Sequence, residues 1–299
     1  MQIIKTAKNI VILAFVVSAM PSYASVTFSA LKKGHWQGYS SDVSGQSFSS
    51  IGESAFSDVS SITSNGRQSV AYELQQAGIR ICDIGSATSC KSLSDESALA
   101  VRPAWNAQSN ELIYVRYQAT QTGEDSDLYL HYLESGASKP LILQTGVQDY
   151  PDVSSDGRWL AYMSSDTVSL YRGGVQVIRN LWTMDLTTGI AKQITYGNHQ
   201  DIEPDWSPDV TQLAFASNRS GDFEIWLSDN KGENAKKLTT GPGQKTWPSW
   251  SPDGKSIMYT LQHQGRYSLW MIDVDGTNLR QFQPFGKEAD VQMKDADWN

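Results

Sequence analysis

Four histidines are the residues of this chain best suited to chemistry: His35, His131, His199 and His263. Imidazole serves as general base, proton shuttle or metal ligand. Here each lies in a different stretch of sequence, and none has the H-x-x-x-H or H-E-x-x-H spacing that sets two ligands on one face. His199 is followed closely by Asp201 and Glu203, a carboxylate–imidazole set that would hold a transition metal if a third ligand converged on it. No G-x-S-x-G elbow offers a serine nucleophile. The sequence therefore assigns no catalytic residue, no metal ligand and no cofactor, and the chain reads as a binding protein.

The elements that would position any site are set by a repeat. Pro103-Ala104-Trp105-Asn106, Pro151-Asp152-Val153-Ser154, Pro204-Asp205-Trp206-Ser207 and Pro248-Ser249-Trp250-Ser251 share one pattern, and Ala296-Asp297-Trp298-Asn299 is a fifth copy. Three copies run on into Ser155-Asp156-Gly157, Pro208-Asp209-Val210 and Pro252-Asp253-Gly254, as a tight turn requires. An interval of about 44 to 53 residues matches one four-stranded sheet per repeat, stacked radially as a β-propeller. The repeat predicts an all-β, six-bladed propeller over residues 25–299. Its last blade is closed by both termini, with 297–299 as inner strand and 34–42 as second strand. Nine of the ten tryptophans fall on strand positions that pack between blades. The repeated aspartates Asp152, Asp156, Asp205, Asp209 and Asp253 are expected in turns, bonding local amides.

Cys82 and Cys90 flank the turn between the third and fourth strands of one blade. Antiparallel neighbours there face each other, which predicts a disulfide in an oxidising compartment. Residues 1–24 supply that compartment: Lys5 and Lys8, an apolar run from Ile10 to Ala19, and Ser22-Tyr23-Ala24 read as a secretory signal peptide. With 24 basic against 32 acidic residues the net charge is −8. An acidic surface repels phosphate backbones and anionic lipid heads, so nucleic acid and membrane insertion are excluded as partners. The expected state is a periplasmic monomer.

The stretch Ile202-Glu203-Pro204-Asp205-Trp206-Ser207-Pro208-Asp209 through Ile225-Trp226, together with Trp247-Pro248-Ser249-Trp250-Ser251-Pro252-Asp253-Gly254, resembles the C-terminal propeller of the TolB family. That family comprises periplasmic components of the Tol–Pal envelope system. The resemblance covers nearly all of the chain after the signal segment, but it lacks a counterpart of the family's α/β domain ahead of the propeller. It implies an envelope protein or peptide as partner, lipoprotein-like, bound at the channel mouth in envelope assembly or transport. The loop holding His199 matches that mouth. Propellers that resemble this one include a metal-dependent lyase of pectin fragments, which gives the competing reading of a carbohydrate-binding or metal-dependent, lyase-like carbohydrate-active protein, although few histidines are available to build such a site.

Insertions point to the same face. The distance from inner-strand anchor to third-strand aromatic grows at Gln118–Ser126 and at Ser164–Asn180, the second around Tyr171 and Arg172. Extra loop length on one rim of a rigid ring is where binding concentrates. The loops entering the inner strands add Arg102, Tyr150, His199, Glu203, Lys245 and Trp247. Trp247 breaks the tryptophan pattern: it sits one residue before the proline, where other repeats have Arg102, Tyr150, Glu203 and Asp295. An aromatic at a polar mouth suits a binding hot spot, or else caps the channel by packing on its neighbours.

Overall fold

The computed structural model describes residues 25–32, 34–50, 59–64, 68–73, 78–83, 90–93, 99–106, 108–120, 123–169, 175–286 and 291–298. Residues 1–24, read from sequence as a signal peptide, and Tyr171 and Arg172 lie outside them. Among the described residues there are 24 strands, numbered β1 to β24 in chain order, in six four-stranded antiparallel sheets. No helix among them is long and apolar enough to cross a membrane.

The inner strands are β4 (Val59–Ser64), β8 (Leu99–Asn106), β12 (Gln148–Val153), β16 (Asp201–Trp206), β20 (Gln244–Trp250) and β24 (Gln292–Trp298). Each packs beside the next, and β24 packs beside β4, so the inner strands form a closed ring. Blades are numbered I to VI in that order. Between blades the alternating apolar positions interlock: Trp206, Phe215 and Ile225 share one buried cluster with Trp250, Ile257 and Tyr259. Large rings bury the most area at such seams.

The expectation of a six-fold repeat needs correction. Five sheets, from β4 to β23 (Arg280–Gln281), are contiguous repeats, but the sixth is a composite. Its strand β24 pairs with β1 (Ser25–Lys32), with Val26 opposite Trp298 and Ala30 opposite Met293. Then β1 pairs with β2 (His35–Asp42), and β2 with β3 (Phe48–Ser50). Residues 34–42 are thus its third strand, not its second. The missed second strand, Ser-Val-Thr-Phe-Ser-Ala-Leu-Lys, alternates and is β-branched, but it directly follows the proposed cleavage site and carries no turn motif. Phe28 fixes this blade, packing 5.8 Å from Tyr39, 5.7 Å from Phe282 and 6.1 Å from Phe285.

The two expected loop insertions are also corrected. Strands β9 (Glu111–Thr120) and β10 (Gly123–Tyr132) stay paired out to Thr120 opposite Gly123. Strands β13 (Trp159–Ser169) and β14 (Val175–Asp185) stay paired out to Ser169 opposite Val175. The extra residues lengthen two hairpins rather than forming loops, because Thr167, Val168, Val175, Val177 and Ile178 continue the β-branched strand pattern.

Two turn residues explain the Ser-Pro-Asp punctuation. Ser207 Oγ donates to Asp209 Oδ1 at 2.7 Å and accepts the Gln212 N–H at 2.9 Å, and Ser251 repeats both contacts with Asp253 and Ser256. The turn ends in the left-handed region, at φ 71° for Gly157 and 68° for Gly254. In the middle copy that position is Val210, at φ 60°. A β-branched residue is strained there.

Asp152 and Asp205 do not sit in turns, contrary to expectation. Both lie on inner strands, where each carboxylate accepts the N–H of a residue in the next blade: Asp152 that of Trp206 and Asp205 that of Trp250, both at 2.8 Å. Ser249 repeats the contact with the Trp298 N–H at 3.0 Å.

Candidate functional site

A shared break in the inner strands builds the channel lining, and in four blades a proline stands in it. Proline has no N–H to give the sheet ladder, and the inner strand breaks register where each one stands. Arg102 and Pro103 lie between paired Val101 and Ala104, Tyr150 and Pro151 between Asp149 and Asp152, Glu203 and Pro204 between Ile202 and Asp205, and Trp247 and Pro248 between Thr246 and Ser249. Asp295 and Ala296 occupy the same break in the composite blade. The residue before the proline takes positive φ in every case, from 47° at Arg102 to 55° at Glu203. A bulge of this kind re-aims one side chain, and these five converge. They belong to the inner strands, not to the preceding loops where the sequence put them.

Convergence brings these side chains into contact across the ring. The Trp247 ring packs edge-on to Tyr150 at 5.4 Å, although a whole blade separates them. The Arg102 guanidinium lies 4.4 Å from the Tyr150 ring centre and 5.7 Å from that of Trp247. Arg102 is held by Asp149 at 3.0 Å, and Asp149 accepts from the Tyr117 hydroxyl at 2.5 Å and from the Tyr150 N–H at 2.7 Å. Glu203 accepts the Trp247 N–H at 2.7 Å. It is buried, and burial pushes its pKa up to about 8, with Asp295 adding to the rise and Trp247 and Arg102 opposing it. Burial likewise raises Asp149 and Asp295 above the ordinary carboxylate range. Below this layer Asp152 is pushed up to about 7 by burial, with Asp297 contributing, and Asp205 rises for the same reasons and through Asp152.

The remaining expected site residues fall elsewhere. His199 stays at the mouth, 3.2 Å from Asp201, which is fully buried beneath it and paired with Arg219 at 2.8 Å. The guanidinium of Arg219 lies 4.8 Å from the Trp226 ring. Lys245 is not a surface residue. It is buried, 3.1 Å from Glu224, and donates to the carbonyls of Gly241 and Gly243. It clamps the turn entering β20. Among the described residues no three His, Cys, Asp or Glu side chains gather as a metal site. The register sets Cys82 directly opposite Cys90; their side chains are outside the description. Sequence reasoning missed Tyr117 and Arg219, which lie on second strands or beyond and carry no repeat signal of their own.

The fold and lining define an all-β propeller whose inner strands carry a cationic–aromatic cluster at positions of positive φ. A family model for the TolB beta propeller domain matches residues 59–290, and the chain belongs to that family. Among solved structures it is similar to TolB from Acinetobacter baumannii, with TM-score 0.75 and 15% identity over 92% of this chain and 66% of that one. A putative TolB from Agrobacterium tumefaciens gives TM-score 0.67 and 14% identity over 92% of this chain and 99% of the other. At these identities the likeness is one of fold. A curated relative, the uncharacterized protein Atu1656 of Agrobacterium fabrum (strain C58 / ATCC 33970), is 24% identical over 97 residues, 32% of this chain and 30% of its own length. The chain thus matches under a third of that relative.

Proposed function

We propose that this chain is a non-catalytic periplasmic propeller that binds an envelope protein, or a segment of one, at the channel mouth. The observation that carries the reading is the Arg102–Tyr150–Trp247 cluster. Tryptophan, tyrosine and arginine are the residues most enriched at binding hot spots. Here they are half-buried and mounted on strands rather than loops, so little conformational freedom is lost on binding. Belonging to the TolB propeller family supports a scaffold role in envelope assembly or transport with a lipoprotein-like partner. The leader-like residues 1–24 support export. His199 extends the contact surface, and Tyr171 and Arg172, between β13 and β14 in sequence, are a second candidate contact.

A photo-crosslinking phenylalanine analogue at position 247, compared with one at exposed Lys236, tests this in exported protein. The reading expects a discrete adduct from 247 alone. Equal adducts from both positions, or adducts from 236 only, would remove the mouth as the site.

A further inference from the structure

Three carboxylates adjoin the Arg102–Tyr150–Trp247 cluster, and Glu203 alone among them has no cation of its own. Asp149 holds the Arg102 guanidinium at 3.0 Å, and Asp295 holds the Lys294 ammonium at 3.1 Å. Among the described residues Glu203 makes no ion pair. Its Oε2 accepts the Trp247 N–H at 2.7 Å. That bond crosses from blade IV to blade V and joins two residues of positive φ, 55° and 54°. Glu203 is 7% exposed, whereas Arg102, Tyr150 and Trp247 are half-buried.

The strands packed against β16 do not supply the missing charge. From β12 come Asp149, Tyr150 and Asp152, from β13 Tyr162 and Asp166, and from β17 (Gln212–Ser217) no ionisable side chain. From β14 come Arg179, which acts on Asp149 and Tyr150, and Asp185, which is paired with Arg158. From β20 comes Lys245, engaged by Glu224. On β16 itself Asp201 is paired with Arg219 and His199, and Asp205 accepts the Trp250 N–H. Across the ring Arg102 favours an ionised Glu203, while Asp295 and Asp149 oppose it.

We infer that Glu203 is a proton-linked switch on the Arg102–Tyr150–Trp247 surface: a partner binds its neutral form, and capture weakens as the carboxyl ionises. The switch rests on the reading of that surface as a binding site. Its basis is desolvation. A partner covering the half-buried rings removes water from around Glu203, and that loss penalises a carboxylate far more than a carboxylic acid. Linkage makes the effect reciprocal, so binding takes up a proton and ionisation opposes binding by the same factor. Burial has already pushed the free protein's Glu203 up to about 8. Affinity is therefore level in acid, declines as pH rises through about 8, and levels off again above the higher pKa of the complex.

Fluorine NMR of the mature chain labelled with fluorotryptophan tests the titration without any partner. The Trp247 resonance, assigned by its loss in Trp247→Phe, should titrate with a midpoint between about pH 7 and pH 9. It should hold still over that range in Glu203→Gln, which keeps an oxygen for the Trp247 N–H. In Asp295→Asn the midpoint should move down, because a charge opposing ionisation is gone; this variant stays informative if a melting curve shows that Glu203→Gln does not fold. Affinity for the partner recovered by crosslinking at position 247 should fall by about fivefold or more from pH 6 to pH 9, and by less than about twofold in Glu203→Gln. The switch is overturned if Trp247 does not titrate, if it titrates equally in Glu203→Gln, or if affinity is level between the two pH values. Affinity that rises with pH also overturns it, and would mean that the partner brings a cation to Glu203. Recovery of no partner at either pH would instead remove the binding surface, and the switch with it, even where Trp247 titrates as described.

Discussion

Asp152 in one blade accepts the backbone N–H of Trp206 in the next, at 2.8 Å. The contact holds adjacent blades together at the channel wall and keeps a carboxylate where water is scarce. Burial raises Asp152 to about 7 and Glu203 to about 8, so the folded protein retains protons that the unfolded chain releases above about pH 4. Their contribution to stability is therefore greatest below about pH 4 and is lost progressively as pH rises to about 7 and 8, above which it levels off. Asp152→Asn keeps an oxygen acceptor for Trp206 and removes the titration. We expect its Tm, relative to the parent's, to be higher at pH 8 than at pH 5. A deficit larger at pH 8 than at pH 5 would reverse the sign of the account.

The blades were legible in the sequence because the Pro-Asp-Trp-Ser pattern couples a turn to an inner strand at fixed spacing. What that proline does was not. It marks a break in the sheet register that also occurs without it, at Asp295 before Ala296, and only in three dimensions does the break turn Arg102, Tyr150, Glu203, Trp247 and Asp295 toward one another. Lys245 misled for a related reason: a lysine two residues from Trp247 reads as a surface charge until Glu224, 21 positions earlier, is found facing it. The composite blade escaped in part because β1 has no punctuation, only an alternating run.

Lys245→Ala should act on stability and not on binding. It leaves Glu224 buried without its cation, a loss of about 3–5 kcal/mol, or a fall in Tm on the order of 10 °C for a domain of this size. Partner capture by the folded fraction, measured well below the melting transition, should be unchanged. A normal Tm with lost capture would return Lys245 to the binding surface.

Val210 stands where two sister turns have glycine. Val210→Gly should raise Tm by a few degrees, because relief of a strained φ, about 1–3 kcal/mol, outweighs the loss of a partly buried side chain. Thermal melts of Val210→Gly and Val210→Ala separate the terms, since alanine loses packing and keeps the strain. A Tm no higher for glycine than for alanine would show that the turn is not strained.

Cys82 and Cys90, opposite each other in the ladder, should be joined in exported protein and free in protein made without residues 1–24. Closing so short a loop stabilises by about 2–3 kcal/mol in the chain-entropy model. Mass spectrometry of unreduced digests reads the bond directly, and two free thiols in exported protein would dismiss it.

The central claim is that the Arg102–Tyr150–Trp247 cluster is a binding surface, and Trp247→Ala tests it most directly when affinity for the crosslinked partner and Tm are measured on the same preparation. The indole is half-buried and rests edge-on against Tyr150, outside the seams between blades. The account predicts a loss of about 2 kcal/mol or more in binding, roughly thirtyfold in Kd, with Tm almost unchanged. Unchanged affinity with a Tm lowered by the several kcal/mol typical of a truncated core tryptophan would contradict it, leaving Trp247 as a residue that only packs against its neighbours.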